Sequence, residues 1–386
     1  APVTVVVSAM GGVTDALLAA GRAAIAGDPS WIAELAAVER RHRDTYRELA
    51  GGIPAGFDAA WHDLLEDARR LGKRAVMPGT TEAAYATARF SGWGERLAVP
   101  LFAAALDAAG IPAQPFPAEP VLLETRASAG ETPRPSVLAT RGWLVPQLAR
   151  LVMRSGVPVL PGYIARDASG RGTTLGRNGS DHSAAVIAAA LGAESVYIYS
   201  DVAGFYTADP RVVADAALLP VITYAEAAEV AWLGARVLHP RTLAPLAHWG
   251  IPLYLRSSFA PDAPGTDVVP AHTGEPDTAW IVAARPSSDV TERHLIEVSA
   301  TLLGDALRTL DDGEPLLAGV ARILNAAAPA LTGPLDVTPR QLRTLVSPDS
   351  AEAVQRTIHA ALVRLGSIHA RTASGNEAPP VESEVI

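Results

Sequence analysis

The sequence predicts an α/β protein: a largely parallel sheet covered on both faces by helices, followed by a smaller α+β unit. Three observations predict this. From residue 3 to about 270, short β-branched runs alternate with stretches of helical period, the pattern of strands joined through covering helices. At two places a glycine turn separates a strand from a helix start. After residue 270 the order changes to strand, helix, two strands and helix. At 386 residues the chain is long enough for two or three domains of roughly 100–200 residues each.

The elements follow in order. Val3 to Val7 is a strand, Ser8 to Gly12 a turn, and Asp15 to Ala26 a helix. Trp31–Ala50 and Phe57–Leu71 carry Arg and Glu along one face and read as an outer helical hairpin with solvated charges. Gly94-Glu95 opens a helix through Ala109, a short strand lies within 111–120, Gln147–Ser155 is helical, and Val157–Leu160 is a buried strand. Gly162 to Ser183 has the density of glycine and polar residues of a hairpin and tight loop leading into the helix Ala184–Leu191. A strand at Ser195–Tyr199, a loop holding Asp201 and Asp209-Pro210-Arg211, helices at 223–233 and 241–249, and strands at Leu253–Arg256 and Gly265–Val269 complete the first domain, 1–270. After a linker, a second domain at 271–372 has strands at Leu295–Ser299, Leu335–Pro339 and Thr344–Ser347 and helices at Leu316–Ala327 and Ala351–Leu365. The polar stretch 373–386 reads as a disordered tail.

Composition narrows the chemistry. With no cysteine, disulfides, thiolate metal sites and cysteine nucleophiles are excluded. A net charge of −9 argues against a general nucleic-acid surface, which needs clustered cations. No apolar run approaches a membrane span. Lys73 is the single lysine, so an anionic ligand would be held by guanidinium groups, backbone amides and metal.

The two glycine turns, Gly11-Gly12 and Gly176-Arg177-Asn178-Gly179-Ser180-Asp181, each stand before a helix, whose unpaired amides and dipole attract anions. A cap from Thr14 or Ser180 would account for either turn equally well. At the second turn, Arg177 offers a fork for a carboxylate and Asp181 an acid close by. Other motifs fail. Lys73 is followed by Arg74, so no Walker-type phosphate loop exists. Ser180-Asp181-His182 cannot align as a triad, and His182 reads as packed or capping. No HExxH pair is present for zinc, and His239 before Pro240 reads as a turn residue.

At this point the residues resemble a known family. VVVSAMGGVTDALL, GERLAVPL, TTLGRNGSDHSAA, SDVAGFYTADPR, GARVLHPRT and IPLYLRSSFAPDAPGT are similar, in order and spacing, to the signature blocks of aspartokinases over residues 3–268. The resemblance implies an amino-acid kinase fold, a mostly parallel eight-stranded sheet between helical layers, with a ferredoxin-like ACT-type domain behind it. It implies transfer of phosphate from ATP with Mg²⁺ to the side-chain carboxylate of L-aspartate, at the head of lysine, methionine and threonine biosynthesis. It also implies feedback by an amino-acid effector such as lysine or threonine, a homodimer or higher oligomer, and a cytoplasmic location.

Carried over by position, Ser8 and Gly11 lie near the phosphates and Thr14 near the substrate. Glu95 holds the amino group of aspartate and Arg177 its α-carboxylate, while Gly179, Ser180 and Asp181 line the reacting centre, Asp181 organising its charge. Ser200 and Asp201 meet the ribose, Tyr206 the adenine or ribose, and Arg211 the polyphosphate. Arg236 stands where the family has a lysine at the nucleotide, and no metal is assigned to protein ligands alone. The family's opening Lys-Phe-Gly-Gly-Thr-Ser block is not in the sequence, for which a start upstream of Ala1 is the simplest account. A non-catalytic, effector-binding subunit is the alternative, and the ACT-like part has room for about one module of the usual two.

Overall fold

The computed structural model describes residues 2–54, 56–73, 80–116, 122–125, 134–152, 156–167, 169–176, 178–232, 237–271, 280–287, 295–303, 314–327, 331, 335–338 and 340–365. Arg177, Arg236, the linker after 271 and the tail after 365 lie outside them. The chain divides into two compact units, Ala1–Ala193 and Glu194–Ile386.

The first unit holds β1 (Val5–Val7), α1 (Val13–Ala26), α2 (Trp31–Ala50), α3 (Gly56–Lys73), α4 (Thr81–Ser91), α5 (Trp93–Ala108), β2 (Ala113–Pro115), β3 (Leu122–Thr125), α6 (Val137–Val152), β4 (Val157–Pro161), β5 (Ile164–Asp167), β6 (Gly172–Thr174) and α7 (Gly179–Leu191). β4 is the centre of a parallel sheet with β1 and β2 on either side, Val5 opposite Val159 and Ala113 opposite Val157. Because β1 and β4 run the same way, their carboxyl ends release two loops at one edge, and the Gly162 amide donates to the Val7 carbonyl at 2.8 Å there.

The helices are placed by their apolar stripes. Leu35, Val38, His42 and Tyr46 recur at three- and four-residue spacing on α2 and bury against α1, α3 and α5 in one core with Leu17, Leu64 and Leu97. Asp67 of α3 fixes the neighbouring helices, accepting from Arg89 Nε at 3.2 Å and Trp93 Nε1 at 3.0 Å. Each fully buried leucine contributes about 1.5–3 kcal/mol. This scaffold sets the start of α5 against the loop after β1.

The second unit holds β7 (Val196–Ser200), β8 (Val221–Thr223), α8 (Tyr224–Trp232), α9 (Pro240–Trp249), β9 (Leu253–Ser257), β10 (Thr266–Val269), β11 (Trp280–Pro286), β12 (Ile296–Leu302), α10 (Leu316–Ala327), β13 (Asp336–Val337), β14 (Gln341–Val346) and α11 (Ala351–Leu365). Its first sheet runs β7-β9-β10-β8 and its second, fully antiparallel, β11-β12-β14-β13. Apolar residues of α10 and α11 bury with the alternate residues Val298, Ala300 and Leu302 of β12. Ala208 and Val213, from the loop after β7, lie in this same core.

The mostly parallel expectation holds: β1–β4, β2–β4, β3–β5, β7–β9 and β8–β10 all pair in parallel. Among the described residues the hydrogen-bonded groups are β1-β4-β2 and β3-β5-β6 in the first unit and β7-β9-β10-β8 in the second. α4, β3, β8 and β11 add to the predicted elements, and α6 begins at Val137, ten residues before the predicted Gln147, carrying Pro146 inside it. β11 turns the expected C-terminal order into strand, strand, helix, two strands and helix. Among the described residues no helix is long and apolar enough to cross a membrane.

Candidate active site

In the first unit the loop after β1 meets two segments far away in sequence. Gly94 has no side chain, and a Cβ there would stand 2.6 Å from the Cβ of Ala9. That close approach delivers Glu95 to the loop, where the Ala9 amide donates to Glu95 Oε1 at 3.1 Å. Glu95 is 1 % exposed, and its Oε2 is buried without a hydrogen-bond partner. Burial pushes the carboxyl up to about 7, against the opposing pull of the Ala9 amide. Gly94→Ala should cost about 1–3 kcal/mol in thermal or denaturant unfolding, because the new methyl group has no space unless the loop retreats.

The third segment is the start of α7. Asn178 precedes it in the left-handed region at φ 56°, a conformation that asparagine tolerates better than most side chains. Gly162 lets Ser180 close in, since a Cβ at 162 would lie 2.8 Å from Ser180 Cβ. The Ser180 hydroxyl then donates to Ser8 Oγ at 3.0 Å, across 172 residues of sequence. Ser183 braces the turn, accepting from the Tyr163 amide and donating to the Gly179 carbonyl, both at 2.8 Å. Burial pushes the half-buried Asp181 carboxyl up to about 6.

The capping explanation of the glycine turns does not hold. α1 starts from Gly12 at φ 80° and α7 from Asn178, neither with a side-chain cap; the Val13 amide turns back to the Met10 carbonyl at 2.9 Å, and no capping side chain covers the helix starts. Thr14 lies in the first turn of α1 beside Gly11-Gly12. Ser8 thus meets Ser180 directly and Glu95 meets the Ala9 amide next to Ser8, with Asp181 following Ser180 on α7 and Gly11 and Gly179 in the turns. Tyr163, at φ 59°, and Ser183 escaped sequence reading. Their signal was only the Gly162-Tyr163 step after a strand and a serine four residues beyond Gly179. His182 is buried as expected, and His239 caps α9 by accepting from the Arg241 amide at 3.1 Å.

In the second unit, Ser200 ends β7 and closes a tight turn on Val202, while Ser258 donates to the Ser200 carbonyl. Tyr206 pairs with Leu218 across the following loop. Arg211 is bound by Asp209 through two side-chain bonds of 3.0 and 2.8 Å, yet is 76 % exposed. Hydrogen bonding to Asp209 and its charge, with Asp201 behind, hold the guanidinium above its usual range. Asp209 is a partner that the sequence reading did not assign.

A profile of the amino acid kinase family matches residues 1–257, a span that contains every one of these residues except Ser258. The chain belongs to the amino acid kinase family. Among curated proteins, this amino acid kinase is 30 % identical over 312 residues to the bifunctional aspartokinase/homoserine dehydrogenase 2 of Arabidopsis thaliana, a match covering 80 % of the chain and 33 % of that protein. It is 42 % identical over 146 residues to the lysine-sensitive aspartokinase 3 of Escherichia coli, covering 38 % of the chain and 32 % of that protein. These alignments span about a third of the relatives' length. Among solved structures, E. coli aspartokinase III in complex with aspartate and ADP superposes with a TM-score of 0.75 at 24 % identity, covering 93 % of each chain, so the fold is shared.

Proposed function

We propose that this amino acid kinase transfers the γ-phosphoryl group of ATP to the side-chain carboxylate of L-aspartate, the reaction that opens lysine, methionine and threonine biosynthesis. The observation that carries the reading is the buried Glu95 carboxylate with one unpartnered oxygen beside the Ser8–Ser180 contact. A buried carboxylate demands a cation, and the ammonium of an amino acid supplies one. The adjacent first-turn amides and hydroxyls suit the transferring phosphoryl group.

In this reading Glu95 seats the amino group, Arg177 the α-carboxylate, and Thr14 lies near the substrate. The β-carboxylate, already ionised, attacks the γ-phosphorus as the bond to the bridging oxygen breaks and ADP leaves. The protein's work is in-line positioning and charge stabilisation by Ser8, Gly11, Gly179, Ser180 and Asp181. Ser200, Asp201, Tyr206, Arg211 and Arg236 take the nucleotide; Arg211 shares its charge with Asp209 until polyphosphate arrives. Among the described residues no three acidic or histidine side chains are grouped for a metal, so Mg²⁺ would come with the polyphosphate and neutralise it.

The reading further assigns 1–270 to catalysis and 271–372 to an ACT-like regulatory domain that takes an amino-acid effector, in a homodimer or larger assembly in the cytoplasm. Hydroxylamine trapping tests the core of it. Incubation with Mg·ATP and aspartate should yield aspartyl hydroxamate, with glutamate, N-acetylglutamate and UMP far poorer acceptors. A better acceptor among those three would remove aspartate from the proposal. Amino-acid binding by calorimetry without acyl phosphate would favour the effector-binding subunit instead.

A further inference from the structure

We infer that His359 is a positioning residue for nucleotide binding, acting through Thr207 on the loop between Tyr206 and Arg211. The inference rests on the reading that this loop meets the nucleotide. His359 lies on α11, 152 residues from Thr207, and is 2 % exposed; its Nε2 is 3.1 Å from Thr207 Oγ1. Thr207 Oγ1 also accepts from the Ala217 amide at 2.9 Å, so a single hydroxyl ties the imidazole to the far end of the loop. The other ring nitrogen, Nδ1, lies 3.8 Å from Asp215 Oδ1. Burial holds the ring below its ordinary range and Asp215 opposes this.

Thr207 is the anchor of the loop in every direction. Its amide donates to the Ala217 carbonyl at 2.8 Å and its carbonyl accepts from the Val282 amide of β11 at 2.8 Å. Next to it, Ala208 and Val213 sink into the core formed by β12, β14, α10 and α11. Arg356, one turn before His359, donates to the Val212 carbonyl at 3.3 Å. Tyr206 and Arg211 therefore hang on a segment whose back is part of the C-terminal core. A shift of α11 would reach the nucleotide loop through the His359–Thr207 hydrogen bond, the Arg356–Val212 contact and the shared core.

The test uses the full chain with Thr207→Val, Thr207→Ser, His359→Phe and His359→Gln, titrated calorimetrically with Mg·ADP and assayed for both substrates. T207V and H359F should each weaken Mg·ADP by about tenfold, because a buried polar group loses its partner. T207S and H359Q, which keep a donor and an acceptor in place, should stay within about threefold of wild type. The double variant should be no worse than either single one, and the KM for aspartate should not move. Should H359F fail to fold, the near-isosteric T207V carries the test. Mg·ADP affinity within about twofold of wild type in T207V, or an equal loss for aspartate, overturns the inference. Wild type that binds Mg·ADP but never phosphorylates aspartate sinks the substrate assignment and not this one; wild type that ignores Mg·ADP sinks this one.

Discussion

Glu95→Gln should raise the KM for aspartate at least about a hundredfold, the loss expected when one partner of a buried, hydrogen-bonded ion pair is removed. Glutamine keeps the size and the acceptor for the Ala9 amide, so the loop should survive and the effect should report charge. The pH dependence sharpens the test. The carboxyl rises from an ordinary 4.5 to about 7 in the folded protein, yet it must be ionised to receive an ammonium group. The KM for aspartate should therefore fall about tenfold per unit as pH approaches 7 and flatten above it, whereas E95Q should show no such limb. Stability moves the other way. The native state holds this proton more tightly than the unfolded chain, so its contribution is full below about 4.5 and is lost as pH rises through about 7. E95Q should unfold with a flatter pH profile across that window, and a wild-type-like profile in the variant would remove Glu95 from both roles.

Asp181→Asn should lower kcat by about 10²–10³-fold while both KM values stay within about threefold, because its charge is asked to act where the phosphoryl group passes. Burial places this carboxyl near 6, so kcat should climb with pH through that value and level off. The climb should vanish in D181N. A variant that keeps kcat within a factor of about five would reduce Asp181 to a helix-start acid whose worth is the ordinary dipole interaction.

Local periodicity made much of the scaffold legible. The bounds read for α2, α10 and α11 coincide with those observed, since an uninterrupted apolar stripe ends at glycine, proline or polar residues. α4 was hidden by Gly92 and Gly94, which look like loop residues although Thr80 caps the helix by accepting from the Ala83 amide at 3.2 Å. β11 is an apolar run buried through its first four residues, so it lacks the alternation that identifies a strand. Pro146 and Gly142 concealed the first turns of α6. At the site the glycine turns could be read and their partners could not. Ala9 with Glu95, Ser8 with Ser180 and Thr207 with His359 are joined by packing across 86, 172 and 152 residues, and no local pattern encodes such pairs.

The missing side chain at residue 94 also limits how the chain can diverge. With 2.6 Å between Ala9 Cβ and where a methyl group at 94 would sit, bulk added on one side must be surrendered on the other. In a combinatorial library, Ala at 94 should be recovered chiefly alongside Gly at 9. Two positions in different elements would then behave genetically as a single site.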